Sequence, residues 1–174
     1  MSIPDFQSFM LPLLRFAEDN DEHATREAAE SLAQVFQLSD ADKEELLPSG
    51  QNTIFGNRVY WGITHLKHAK LLESTRRGFF RITQRGIQVL QQNPSRIDHK
   101  FLKEFAEYRQ FITPRRDKTT SEETAESIVE TITSQTPEEL LEGSYQSIRQ
   151  ELAQELLSQV KKASPIFFEA LVVD

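Results

Sequence analysis

The sequence predicts a mainly α-helical fold with one small β-hairpin, and three observations carry that expectation. Apolar residues recur at helical spacing in segment after segment. Side-chain caps and stop residues punctuate those segments. Only one pair of short strand-like runs, LLEST at 71–75 and FFRIT at 79–83, flanks a tight turn, made of Arg76, Arg77 and Gly78.

The composition supports a buried core. Hydrophobic residues make up 38% of the 174 residues and include twelve Phe, and charged residues make up 27%, which suits an ordered chain with some exposed helix. The absence of Cys excludes disulfide frameworks, thiolate nucleophiles and Cys-ligated zinc, and fits a reducing interior. No window approaches the 18 or so apolar residues of a membrane span, and the amino-terminal apolar stretch has no basic residues before it. The expectation is a cytoplasmic protein with no membrane partner.

Taken in order, Asp5 caps a first helix with Phe6, Phe9, Met10, Leu13 and Phe16 on one side, and Pro12 marks a kink or restart. Thr25 caps a second, carrying Ala28, Ala29, Leu32, Ala33 and Phe36. Ser39 caps a third, SDADKEELL, which Pro48 and Gly50 stop. Asn57 caps a fourth running to about Lys70, with Val59, Gly62, Ile63, Leu66 and Ala69 on its core side. Its other arc shows Arg58, Tyr60, Trp61, Thr64, His65, Lys67 and His68. The hairpin follows, and Thr83 caps a closing helix, QRGIQVLQQ. Three helices, a fourth of recognition type and a basic-tipped hairpin give the order of a winged helix-turn-helix, expected over residues 1–94.

Residues 95–120 read as a short helix, DHKFLKEFAEY, and an exposed linker containing Arg115, Arg116 and Lys118. Residues 121–163 read as a helical arm. Its first helix carries Ala125, Ile128, Val129 and Ile132. Its second opens on a capping box, Thr136-Pro137-Glu138-Glu139, and bears Leu141, Tyr145, Ile148, Leu152, Leu156 and Val160. Such a stripe needs a cover, so the arm is expected to form a homo-oligomer. Residues 164–174, SPIFFEALVVD, open another, almost wholly apolar helix.

The net charge of −7 hides an uneven distribution. Residues 51–90 hold seven basic residues and one acidic, whereas 1–50 and 121–174 each hold three basic and eleven acidic. Attraction to a polyanion depends on the local field, so this basic island points to double-stranded DNA as the partner.

The run NRVYWGITHLKHAKLLESTRRGFFRITQRGIQVL, with LPSGQNTIFGNR leading into it, resembles the amino-terminal domain of Mrr-type restriction proteins, and SPIFFEALVVD is similar to the opening of their catalytic domain. The resemblance implies a targeting region of a PD-(D/E)XK endonuclease that cleaves modified, methylated DNA. It also implies that the metal-binding Asp and the carboxylate-x-Lys motif lie beyond residue 174. Of the family's catalytic set only Glu169 is present, so this chain by itself is expected to hold no cofactor, and magnesium is expected only at the missing catalytic domain. Family members commonly have Gly at the position of Lys70, so that helix end must be made another way or carry left-handed strain.

Candidate DNA-binding residues are Arg58, Thr64, His65, Lys67 and His68 on the fourth helix, with Arg76, Arg77 and Arg81 on the hairpin. Arg can bond guanine bidentately, and Lys and His can serve phosphate. His65 and His68 have a metal-compatible spacing, but no Asp, Glu or Cys accompanies them in that helix, and no metal is expected. Trp61 is expected to pack rather than stack on bases. Two other functions fit the same elements: a transcription regulator whose helical arm dimerises, and a protein-interaction module.

Overall fold

The computed structural model describes residues 3–112 and 135–162. The chain divides into two compact units, Met1–Pro137 and Glu138–Asp174. In chain order the described elements are α1 (Phe6–Phe16), β1 (His23–Ala24), α2 (Thr25–Val35), α3 (Asp40–Glu44), α4 (Ile54–His68), β2 (Leu72–Glu73), β3 (Phe79–Ile82), α5 (Gln84–Gln91), α6 (His99–Leu102), α7 (Ala106–Ile112) and α8 (Pro137–Lys162). The fold is mainly α with a small antiparallel sheet, as the sequence predicts. The expected helix at 121–132, the linker with Arg115, Arg116 and Lys118, and the segment 164–174 with Glu169 lie outside the described residues.

Helix α1 is buried on nearly every side, because Phe6, Phe9, Met10, Leu13 and Leu14 are all within 1% of complete burial. Asp5 caps it as expected, accepting from Ser8 N at 2.8 Å, and Pro12 sits inside one continuous helix. Helix α4 packs against it through Val59, Ile63 and Leu66. Gly62 makes the approach possible, since a Cβ there would stand 3.0 Å from Leu13 Cδ1 and 3.4 Å from the carbonyl oxygen of Phe6.

The sheet has the strand order β1-β3-β2, with His23 opposite Phe80, Ala24 opposite Phe79 and Leu72 opposite Ile82. Strand β1 is too short to leave a period-two signature, and the sequence reading omits it. Thr25 was expected to cap α2. Instead its N–H and hydroxyl both donate to the carbonyl of Gly78, at 2.9 and 3.1 Å, tying the helix start to the hairpin turn, while Glu27 accepts from Ala24 N. Gly78 adopts φ +80°, the conformation that a tight turn demands of it.

Helix α4 begins four residues earlier than expected. Thr53, not Asn57, is its cap and accepts from Gly56 N at 3.1 Å. The isolated bridge between Leu46 and Thr53 ends the preceding loop, so α3 stops at Glu44. Asn57 lies within α4, buried, and its side-chain oxygen accepts from the Thr136 hydroxyl at 2.5 Å.

The core does not end at residue 94. Ile97, Leu102 and Tyr108 belong to the same buried cluster as α1 and α4, so α6 and α7 are part of this unit rather than the start of a linker. Helix α8, taken by itself, runs 26 residues and leaves Leu141, Tyr145, Ile148, Leu152 and Leu156 more than half exposed.

At the end of α4 Lys70 adopts the left-handed conformation, one of the two possibilities that the sequence leaves open there. Leu71 N bonds to Leu66 O and Lys70 N to Lys67 O, the two bonds of a Schellman motif, and Lys70 stands at φ +60°. Lys70→Gly should therefore stabilise the protein by about 1 kcal/mol, because the Cβ penalty outweighs the added freedom of the unfolded chain. Urea unfolding measures this, and an unchanged or lower midpoint would show the left-handed residue to be unstrained.

Candidate nucleic-acid interface

The outward side of α4 is set by what covers the rest of it. With Val59, Ile63 and Leu66 in the core, the 100° step per residue turns Tyr60, Thr64 and Lys67 away from α1. Tyr60 is 57% exposed. Thr64 is half-buried, and its hydroxyl donates to the Tyr60 carbonyl at 2.9 Å. Lys67 is half-buried too, and this burial holds its ammonium below the ordinary lysine pKa. His68 is exposed at one edge, but its ring lies flat on Phe111 of α7 at a centroid distance of 3.6 Å.

Two expected helix contacts are engaged elsewhere. Arg58 does not point outward: its Nη1 donates to the carbonyls of Ile3, at 2.6 Å, and Pro4, at 3.0 Å, so the guanidinium ties the segment before α1 to α4. His65 is buried, 7% exposed, between Phe6 of α1 and the rings of α6 and α7. Both corrections have one cause. Arg58 and His65 lie on the flank of α4 that the amino-terminal segment and α6–α7 cover, and neither cover is visible in the periodicity of α4 alone. Trp61 packs half-buried against the core, edge-on to Tyr60.

His65 belongs to a buried relay. The Tyr108 hydroxyl lies 2.9 Å from His65 Nδ1 and within hydrogen-bonding distance of His99 Nδ1. A phenol has one proton, so it donates to one ring and accepts from the other. Among the described residues His99 Nε2 is buried without a partner. The least costly arrangement puts His99's proton on Nδ1, donating to Tyr108, and has Tyr108 donate to His65 Nδ1. Burial, and then the proximity of His99 and His68, depress the His65 pKa to about 3. Burial, and then Lys103, lower that of His99.

The hairpin carries the other expected contacts. Arg76 pairs with Glu22 at 2.9 Å and stacks over Phe79 at 3.7 Å, and Arg81 pairs with Glu73 at 2.6 Å across the β2–β3 register. Arg77, at the tip, is exposed and has no ion-pair partner among the described residues. Arg85 of α5, outside the expected set, donates to the carbonyl of Ala69 and to Glu107 of α7, so it braces α7 against the end of α4.

The relay gives stability a definite pH dependence. A histidine whose folded pKa lies below its unfolded value near 6.5 takes up its proton on unfolding, so its contribution is complete above that value and is lost as pH falls toward the folded pKa. For His65 the window runs from about 6.5 down to about 3. The unfolding free energy should drop by about 1.4 kcal/mol per pH unit below 6.5 for each buried neutral histidine. Denaturant titrations from pH 7.5 to 5 measure this, and His65→Gln should flatten the slope; an equal slope in that variant would remove His65 from the account.

The model of the Mrr N-terminal domain matches residues 6–92. Over 178 aligned residues the chain is 27% identical to the type IV methyl-directed restriction enzyme EcoKMrr of Escherichia coli (strain K12). That alignment takes in 100% of this chain and 58% of the relative, so the chain spans less than three-fifths of the relative's length. No solved structure matches the chain. No described helix is long and apolar enough to cross a membrane. With its family domain running from the start of α1 through α5, the chain belongs to the Mrr-type restriction proteins.

Proposed function

We propose that residues 3–112 dock double-stranded DNA for a restriction system that acts on methylated DNA, in the manner of a winged helix, with α4 entering the major groove and the β2–β3 hairpin meeting the backbone. The observation that carries this reading is that the basic island, residues 51–90, keeps Arg76, Arg77 and Arg81 on the exposed hairpin and Lys67 on the outward side of α4. The relative's methyl-directed restriction activity supports the kind of DNA. In this reading Thr64, Lys67 and His68 serve the groove, and Arg76, Arg77 and Arg81 serve phosphates. Surface ion pairs are worth about 0–1 kcal/mol, so Arg76 and Arg81 can leave Glu22 and Glu73 for phosphate at little cost. Cleavage and its magnesium belong in the same reading to the relative's further length, since Glu169 alone is one carboxylate and not a metal site.

Binding should be steeply salt-dependent, with a log–log slope of several units, and Arg76→Ala with Arg77→Ala should weaken it on every sequence and make the slope shallower by about 2. Fluorescence anisotropy across 50–200 mM salt measures both. Affinity that stays flat with salt would sink a phosphate-dominated mode.

The exposed stripe on α8 supports a homo-oligomer in which that helix pairs with another copy. Ile148→Glu with Leu152→Glu should then bring the mass measured by light scattering down to the 20.1 kDa of one chain. A wild-type chain already at that mass at high concentration would refute the pairing.

A further inference from the structure

The DNA-docking reading leaves open which side chain detects the methyl group, and the covered flanks of α4 narrow the choice. A methyl on cytosine C5 or on adenine N6 projects into the major groove, where an apolar surface is needed to meet it. Along α4, Val59, Ile63 and Leu66 are buried in the core, Arg58 is held by two carbonyls, and His65 is sealed within the relay. Trp61 is half-buried, and the ring of His68 has one face covered by Phe111. Lys67 offers a cation, and Thr64 only a single methyl. Tyr60 remains: its side chain is the one large apolar surface of α4 that is more than half exposed.

Its setting suits a reader. The ring meets the half-buried Trp61 edge-on, with centroids 6.2 Å apart and an interplanar angle of 83°, so a neighbour fixed in the core limits its orientation. The Thr64 hydroxyl donates to the Tyr60 carbonyl one turn away, so Thr64 and Tyr60 share the outward side of α4. Tyr60, Thr64 and Lys67 together span about 10 Å of helix, which fits within a groove about 12 Å wide. An aromatic face and a threonine methyl at one end and an ammonium at the other suit a methylated base beside a phosphate.

We propose that Tyr60 is the specificity-determining residue of this domain, its ring packing on the methyl group of a modified base in the major groove. This rests on the DNA-docking reading. The ring gains contact with a methylated base and meets water at an unmethylated one, so the discrimination from one buried methyl is roughly fourfold.

The test is anisotropy at fixed salt with three duplexes of one sequence: unmethylated, carrying 5-methylcytosine, and carrying N6-methyladenine. The wild-type chain should favour one methylated duplex by roughly fourfold per methyl contacted, and the preferred duplex identifies the base. Tyr60→Ala should bring that ratio to about one while the salt slope is unchanged, since no phosphate contact is lost; Tyr60→Phe should keep the ratio. Circular dichroism confirms that both variants fold, as expected for an exposed site. A wild-type chain that binds all three duplexes equally, or a ratio that survives in Tyr60→Ala, overturns the role of Tyr60 and leaves DNA docking standing. A chain that binds none of the duplexes overturns the docking reading and this one with it.

Discussion

Helix α4 lies across a buried α1, with Gly62 beneath Leu13 and Val59, Ile63 and Leu66 against the same core. Its rotation about its own axis is thereby set, because turning it by one residue would bury Tyr60 or Lys67 and expose Ile63. Deleting a side chain such as Ile63 from a packed core costs about 2–5 kcal/mol. Everything presented outward from α4 therefore stands on a rigid support, and the hairpin inherits the same frame through the Schellman turn that joins Leu71 to the helix end.

A second constraint is polar. The carbonyls of Ile3 and Pro4 hold Arg58, and Tyr108 bridges His65 and His99, so the segments before α1 and after α5 are both anchored on one flank of α4 by hydrogen bonds. Apolar packing of Leu102 and Tyr108 seats α6 and α7 on the core; the relay fixes where, since a buried phenol or imidazole without its partner costs about 1–3 kcal/mol. Burial in the relay favours the neutral rings of His65 and His99 over their charged forms. Together the two sets of contacts withdraw Arg58 and His65 from the surface of α4 and leave a narrower face of Tyr60, Thr64 and Lys67.

The hairpin is organised differently. Arg76 and Arg81 of the hairpin are held by exposed carboxylates, and Arg76 also by the face of Phe79, rather than by burial, and Thr25 clamps the turn from below through the Gly78 carbonyl. The helix offers a shaped, partly apolar surface, while the hairpin offers charge that can be repositioned cheaply.

The sequence by itself determined the element types, because amphipathic period, caps and turn chemistry are local. Asp5, Ser39 and Thr83 cap their helices and Gly78 turns the hairpin. It also determined the family and the basic island, since both are carried by residue identity along the chain. Only the tertiary structure decided which polar residues of α4 face outward. Arg58 and His65 look like surface residues on a helical wheel, and their partners, Ile3 and Pro4 in one case and Tyr108 in the other, lie 55, 54 and 43 residues away. The wheel placed Tyr60 on the outer arc, but its weight emerged only when its neighbours proved to be covered. Periodicity reports which side of a helix is apolar, whereas burial depends on what other segments fold across it, and that is a non-local property of the chain.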